Sequence, residues 1–177
     1  MSAVARIAGT IAPVRFLSPS TVRWNSVSAT WVGAVALFVI LACAYIASVD
    51  IRATQGASIT GDEPFYLLTT QSLLQDGDLD LNQQYQKRSY ESFFDHPDSL
   101  WMQSVPRDDG TLLSPHNLGL SILVLPGFAI GGLVGAQVQL LVMAAVTFAL
   151  TYVLVVRITR APLLSWLATL AVALSAT

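Results

Sequence analysis

Residues 31–49 read WVGAVALFVILACAYIASV, from Trp31 to Val49, and carry no charged side chain. A helix needs about 20 apolar residues to cross the roughly 30 Å hydrocarbon core of a bilayer. Its backbone N–H and C=O groups are hydrogen-bonded to one another within the helix, as the absence of water in the core requires. A cleaved signal peptide would have a shorter apolar core closer to the first residue. We therefore predict transmembrane helix 1 at residues 31–49, after an N-terminal tail at residues 1–30.

The charges are segregated along the chain. All 11 Asp and Glu residues lie between Asp50 and Asp109, and the flanks carry only arginine. Charged residues make up 11% of the chain and hydrophobic residues 54%, against roughly 25% charged in soluble domains. The net charge of −2 gives no reason to expect a nucleic-acid partner. The composition predicts an integral protein of the plasma or inner membrane.

The arginines give an orientation. Three of them precede the first span, and an acid-rich segment follows it. Positive charge marks the cytoplasmic side, so we expect the tail in the cytoplasm and residues 50–117 outside, as a periplasmic or extracellular loop. The one cysteine, Cys43, excludes an intrachain disulfide. In mid-helix we expect it to be a buried, inert thiol.

A second apolar region, residues 111–156, is too long for one span. Its middle is interrupted by Pro126, Gly127, Gly131, Gly132 and Gly135. Arg157 and Arg160 follow it, and one crossing from outside would place them in the cytoplasm. We predict a half-embedded helix at residues 118–130 on the outer leaflet and transmembrane helix 2 at residues 136–156, joined by a glycine-rich hinge. The alternative, two short spans, leaves both arginines outside.

A turn at residues 157–162 is expected on the cytoplasmic side, and residues 163–177 predict the start of transmembrane helix 3. Fifteen residues are short for a span, so we expect the chain to be the N-terminal part of a larger protein. The predicted fold class is all-α integral membrane, the beginning of a polytopic bundle with helices at its outer face.

Inside the acidic loop, Pro64–Gln75 predicts a short helix that ends at Asp76-Gly77 and lies along the membrane surface. The alternating acids of Asp76–Asn82 invite a calcium-loop interpretation. That template requires Gly at position six and Glu at position twelve, where this chain has Leu81 and Lys87. The match fails. The aromatic segment Tyr85–Phe94 is expected either to cover a site or to pack on the surface helices.

The acid pair Asp62-Glu63 opens this helix. A helix N-terminus favours ionised carboxylates, and a carboxylate at the water–lipid boundary can accept a proton or help to hold a metal. The competing interpretation is a capping box, Thr60-x-x-Glu63, in which the Glu63 side chain accepts a hydrogen bond from a free backbone N–H at the start of the helix. For Asp62 both interpretations stay open, and for Glu63 capping is favoured.

Three further polar residues stand out in the loop. His116 lies where the chain returns to the membrane, and it fits either a phosphate contact or a polar group at the interface. Arg107 fits either a partner for a lipid phosphate or an exposed charge in the turn that follows it. We expect His96 to be an exposed loop residue.

Three motifs carry a resemblance to a known family. They are GDEPFYLL at 61–68, QSLLQDGDLDL at 71–81 and SPHNLG at 114–119. Their order resembles the N-terminal part of the GT-C membrane glycosyltransferases, which include the protein O-mannosyltransferases and the lipid A aminoarabinose transferases. In that superfamily a first span leads to an outer loop with an acidic motif. The last motif departs from the family's His-x-Pro pattern, because Asn117-Leu118 follows the histidine.

The resemblance implies inverting transfer of a sugar from a polyprenyl-phosphate donor to a lipid, protein or glycan acceptor on the outer face. It implies Asp62 as the base, with Glu63 beside it as a catalytic candidate. His116, Arg107 and Tyr66 are the implied substrate-binding residues. A divalent metal is bound by the loop acid in some relatives, which here would be Asp62. The implied partners are the lipid-linked donor and membrane lipid. The 177-residue chain alone is expected to be inactive.

Two other functions compete with the enzyme. One is a non-catalytic polytopic membrane protein whose outer loop binds or scaffolds a partner, because a fold does not guarantee chemistry. The other is a transporter fragment. Neither predicted full span contains an acid or a lysine, the residues that mark an ion path, and this disfavours the transporter.

Overall fold

The computed structural model describes residues 24–49, 51, 58–59, 61–103 and 105–175, and every regular element in this part of the chain is a helix. Most of the predicted tail, together with Thr60, lies outside the described residues. Two helices are long and apolar enough to cross a membrane, Val27–Ile46 and Leu118–Thr159. The elements are α1 (Trp24–Ile46), α2 (Glu63–Gln75), α3 (Asn82–Gln86), a 3-10 turn (Ser89–Ser92), α4 (Leu118–Thr159) and α5 (Pro162–Ser175).

Helix α1 begins earlier than the apolar pattern predicted. It starts at Trp24 rather than Trp31 and ends at Ile46 rather than Val49. No glycine or proline stands between Trp24 and Thr30, so nothing stops the helix from extending into the polar residues. At the other end the hydroxyl of Ser48 donates to the carbonyl oxygen of Tyr45 over 2.6 Å. This local bond competes with the helical pattern and helps to end it.

Helix α4 is broken in the middle. Gly131 has φ −143° and ψ 22°, and Gly132 has φ 57° and ψ −138°, neither of which is helical. The positive φ at Gly132 is accessible to glycine at no steric cost. The break falls inside the glycine run from which a hinge was predicted. It divides α4 into a first arm, residues 118–130, and a second arm, residues 133–159.

The two arms double back on each other. A Cβ atom added to Gly135 would overlap the carbonyl oxygen of Gly127, so the two backbones touch. The side chain of Gln139 completes the contact: its oxygen accepts from the Gly127 N–H over 2.6 Å, and its nitrogen donates to the Leu123 carbonyl oxygen. Within a straight helix these residues would be far apart. The arms therefore form a helical hairpin.

The second arm packs with α1 and α5 into a three-helix bundle. A Cβ atom on Gly33 would lie 2.6 Å from the Tyr152 hydroxyl, and the Trp166 indole donates to the Gly33 carbonyl oxygen over 3.1 Å. The Tyr45 hydroxyl donates to the Ala173 carbonyl oxygen over 3.0 Å. Helix α5 therefore runs in the direction of α1, and the second arm runs against both.

This packing fixes the level of the hairpin. Since an α-helix rises about 1.5 Å per residue, the end of α1 at Ile46 is level with about Gln139 of the antiparallel second arm. The break at Gly131 therefore lies beyond the end of α1, on the side of the connecting segment, residues 50–117.

The connecting segment has a core of its own. Its buried residues pack against the first arm and the start of the second, and they comprise Ile59, Phe65, Leu67, Leu68, Leu81, Tyr90, Phe93, Phe94, Leu100 and Leu112, with Val124, Phe128 and Ala136 from α4. The rings of Phe93 and Phe128 meet edge to face at 6.0 Å. Two roles were expected for the aromatic segment Tyr85–Phe94, covering a site or packing on the helices. The structure shows it packed on the helices.

Helix α2 is more enclosed than a surface helix would be. Eight of its residues are buried, from Pro64 to Ser72, and they occupy more than one face of the helix. Leu74 alone of its large apolar residues is exposed. The apolar pattern predicted the helix itself, but its apolar side chains pack into the core of the connecting segment.

One expectation about α1 is wrong. Cys43 is exposed on the helix surface, whereas a buried thiol was expected. The buried residues of α1 are Ala34, Leu37, Leu41 and Tyr45, which recur every three or four positions and form one stripe. Cys43 lies two positions from both Leu41 and Tyr45, and so it falls on the opposite face.

Candidate functional site

The start of α2 and the start of α4 are bonded to each other. The carbonyl oxygen of Tyr66 accepts from the Ser121 hydroxyl over 3.0 Å. The Thr70 hydroxyl in turn contacts the carbonyl oxygens of both Ser121, at 3.0 Å, and Tyr66, at 2.8 Å. Thr70 and Ser121 are both buried, and buried polar groups are stable when they are paired in this way. These bonds bring together two segments that are far apart in sequence.

Asp62 and His116 meet at this junction. The Asp62 Oδ1 atom lies 3.7 Å from the His116 Nε2 atom, with the carboxylate side chain 60% exposed and the imidazole 16% exposed. At this separation the two groups attract electrostatically when the ring is charged. Each residue is a candidate from the sequence on its own, and the structure places the two side by side.

Aromatic rings enclose the imidazole. The ring of Tyr66 lies 5.1 Å from that of His116, and the ring of Phe65 lies 5.6 Å from it. Phe65 also meets Trp101 edge to face at 5.5 Å. Tyr66, which the resemblance implies as a substrate-binding residue, therefore lies beside His116 in the same site.

Gln103 is the residue of this site that sequence analysis missed. Its side-chain oxygen makes a short hydrogen bond with His116 Nε2. A single glutamine in a loop carries no pattern that would have marked it. Its neighbour Trp101 is held in place on one side by Phe65, and on the other by the Tyr85 hydroxyl, which donates to the Trp101 carbonyl oxygen over 3.1 Å.

The start of α2 leaves the Asp62 carboxylate available. Asp62 occupies the position before the first helical residue but makes no side-chain capping bond. Its carboxylate therefore stands in the positive field of the helix N-terminus without being used as a cap. Such a group can accept a proton from a bound hydroxyl.

Glu63 is the first residue of α2. A capping box would pair this glutamate with the residue three positions earlier. The other half of the box, Thr60, lies outside the described residues. Glu63 is exposed and adjacent to Asp62.

Arg107 lies apart from the pair. It opens the turn that ends at Thr111, where its N–H donates to the Thr111 carbonyl oxygen over 2.9 Å. The pKa of Asp109 in this turn is lowered, first by hydrogen bonds from Thr111 and to a smaller extent by the charge of Arg107. Among the described residues, no contact connects Arg107 with Asp62 or His116. Its described role is that of an exposed turn residue, as is that of His96 in its own loop.

The acids of Asp76–Asn82 are used within the loop. Asp80 Oδ1 accepts from the N–H of Leu112 at 2.9 Å and from the Asn82 side chain at 2.8 Å. The Ser72 hydroxyl contacts Asp78 Oδ1 at 3.0 Å, and the Gln84 amide donates to Asp76. These carboxylates are hydrogen-bonded to neighbouring side chains and backbone of the same segment.

Asp62 and His116 are the metal-ligating side chains that come together at this site. No group of three or more His, Cys, Asp and Glu side chains converges in the described part of the chain. Two such ligands fall short of a zinc or calcium site built from protein side chains alone, whereas Mg²⁺ is commonly held by one or two carboxylates together with waters and substrate phosphates. The chemistry that these residues support is that of a carboxylate and an imidazole.

Comparison with known proteins adds no relative. No family model, no curated protein and no solved structure matches the chain. The interpretation of the site therefore depends on its own geometry.

Proposed function

We propose that the chain is the N-terminal part of a membrane glycosyltransferase of the GT-C kind. It would take a sugar from a polyprenyl-phosphate donor and pass it to a lipid, protein or glycan acceptor at the outer face of the membrane. The observation that carries the proposal is the pairing of Asp62 with His116 at 3.7 Å, at the start of α2 and beside helices apolar enough to cross a membrane.

The proposed orientation follows from the charges. The N-terminus and Arg157–Arg160 lie in the cytoplasm, and the connecting segment lies outside. The first arm of α4 is half-embedded in the outer leaflet, and the second arm and α1 cross the membrane. The position of the hairpin beyond the end of α1 supports this arrangement, because it puts the break on the side of the connecting segment.

In the proposed reaction Asp62 is the general base. The acceptor hydroxyl oxygen attacks the anomeric carbon as its proton passes to the Asp62 carboxylate. The bond from that carbon to the phosphate oxygen breaks, and its electron pair leaves with the polyprenyl phosphate. Attack on the face opposite the leaving group inverts the anomeric configuration. His116 holds the carboxylate in position, and Tyr66 and Phe65 exclude water from one side of the imidazole.

The alternative is a polytopic membrane protein whose connecting segment binds or scaffolds a partner without chemistry. One observation favours it: the acids at Asp76, Asp78 and Asp80 are occupied by internal hydrogen bonds. A well-packed loop of this kind can serve as a binding surface. Asp62 does not share this property, since it makes no capping bond.

Retention of the leaving group tests the proposal. The complete reading frame, in nanodiscs, is incubated with polyprenyl phosphate and with phosphatidic acid, and the bound lipid is identified by native mass spectrometry. A glycosyltransferase of this kind should retain polyprenyl phosphate in preference to phosphatidic acid. Equal retention of both lipids would indicate binding by charge alone and would contradict the proposal.

A further inference from the structure

Two acceptor atoms meet one nitrogen of His116. The side-chain oxygen of Gln103 is hydrogen-bonded to Nε2, and Asp62 Oδ1 lies 3.7 Å from the same atom. A carboxylate and an amide oxygen can only accept hydrogen bonds. The hydrogen shared between them therefore belongs to Nε2.

The carboxylate also settles which way the Gln103 amide points. With the amide reversed, its NH₂ group would donate to a bare Nε2 lone pair. That lone pair would then face the Asp62 carboxylate without a hydrogen between them, and the two would repel. The observed orientation, with the amide oxygen toward the ring, gives both acceptors the same N–H group.

The backbone around His116 is fixed on both sides. The His116 N–H donates to the Ser114 hydroxyl oxygen over 3.2 Å, and the Asn117 side chain caps α4 by accepting from the Gly119 N–H over 2.9 Å. The rings of Phe65 and Tyr66 restrict the imidazole itself. With the ring held in place, the one thing left to settle is which ring nitrogen carries the hydrogen. Gln103 is hydrogen-bonded to one of the two nitrogens, Nε2.

We propose that Gln103 is a positioning residue, which keeps the hydrogen of the neutral His116 ring on Nε2. Among the described residues, Nδ1 makes no hydrogen bond. Asp62 is the one charged side chain in described contact with the ring, and Tyr66 is the other titratable neighbour. The value of this arrangement for sugar transfer rests on the proposed function, but the location of the hydrogen does not.

The test is nitrogen NMR of the 177-residue chain, labelled with ¹⁵N-histidine and reconstituted in nanodiscs at a pH where His116 is neutral. The chain has 2 histidines, and a His96→Asn variant assigns them. We expect the His116 hydrogen on Nε2. A hydrogen on Nδ1, or an equal mixture of the two forms, would overturn the proposal. His96 is an internal control, because its Nδ1 accepts from the Asp98 N–H over 3.1 Å.

Two variants separate positioning from packing. Gln103→Leu keeps bulk but removes the acceptor, and the neutral His116 should then populate both forms while His96 is unchanged. Gln103→Glu restores an acceptor oxygen and should restore the single form. If Gln103→Leu kept the single Nε2–H form, Asp62 alone would be sufficient and the proposal would be wrong.

Activity gives a separate outcome. In the complete reading frame, Gln103→Leu should lower sugar transfer about 10²-fold, the cost typical of a misplaced group, with partial rescue in Gln103→Glu. A protein without transfer activity but with the expected NMR result would refute the proposed function and leave the role of Gln103 in place. Full transfer activity in Gln103→Leu would show that sugar transfer does not depend on the position of the His116 hydrogen, and would leave the enzyme in place.

Discussion

Gly127 and Gly135 touch backbone to backbone across the break in α4, with no room for a side chain on Gly135. Two helical arms can approach this closely only where their facing residues are glycines, a packing that is common between helices in membranes. The contact turns a long apolar helix into a hairpin. It also places the start of α4, and with it His116, against α2.

We expect Gly135→Ala to destabilise the hairpin. The added methyl group would overlap the Gly127 carbonyl oxygen, and relief requires the arms to separate. Overpacking of this kind costs about 1–3 kcal/mol. The measurement is the thermal unfolding midpoint in detergent. Gly131→Ala is the matched control, because its φ is −143° and a Cβ there meets nothing within 4 Å. Equal effects of the two substitutions would contradict the packing.

Much of the hairpin could be predicted from sequence, but the reason that it closes could not. The glycine run predicted a hinge, and the break falls at Gly131 and Gly132. The pairing of the arms depends on Gln139, whose side chain bonds to Gly127 and Leu123. A glutamine in an apolar region has no local signal for its partner, because that partner is fixed only when the chain reverses.

Fusions test the proposed topology. Reporter enzymes joined after Gln86 and after Arg160 should report opposite sides of the membrane, with Gln86 outside. The physical reason is the segregation of arginine and acidic residues, since positive charge is retained on the cytoplasmic side. Both fusions on one side would show that α4 crosses twice or not at all, and the assignment of residues 118–130 as half-embedded would fail.

Tyr85 should make the chain sensitive to alkaline pH. Burial, and to a smaller extent the neighbouring Tyr90, raise the pKa of Tyr85 from 10.0 to about 12. A raised folded-state pKa means that the stabilisation is complete below pH 10 and is lost as the pH rises towards about 12. In Tyr85→Phe, the unfolding midpoint should therefore change less across this interval than in the parent chain.

The same variant loses a hydrogen bond at every pH. The Tyr85 hydroxyl donates to the Trp101 carbonyl oxygen, and its removal should cost about 1 kcal/mol. The two effects are separable, because the lost bond lowers the midpoint uniformly and the ionisation changes its slope. Parallel curves for parent and variant between pH 10 and 12 would show that the phenol is not desolvated.

The candidate site, like the hairpin of α4, could be predicted from sequence only in part. Asp62 was marked by its position at a helix start and His116 by its position at the return to the membrane, both of which are local features. Their pairing depends on the Thr70–Ser121 bond, which joins residues that no pattern relates. Arg107 was also marked by local chemistry, but its turn closes on Thr111 rather than on the pair.

The adjacent acids at the start of α2 should respond differently to removal of charge. In the complete reading frame, Asp62→Asn should lower sugar transfer by about 10²–10⁴-fold, the usual contribution of a general base, and leave membrane insertion unchanged. Asparagine keeps the shape of aspartate but cannot take up a proton. Transfer is measured as labelled sugar moved from the lipid-linked donor, with insertion checked by protease protection.

Glu63→Gln is the matched control for that substitution. It also exchanges a carboxylate for an amide in the first turn of α2, so both variants lose one charge from the helix N-terminus. Because Asp62 is the acid whose carboxylate lies 3.7 Å from His116, the loss of Glu63 should cost less than the loss of Asp62. Transfer at the parent rate by Asp62→Asn would remove this carboxylate from the mechanism. A larger loss in Glu63→Gln would assign the role of base to the second acid of the pair.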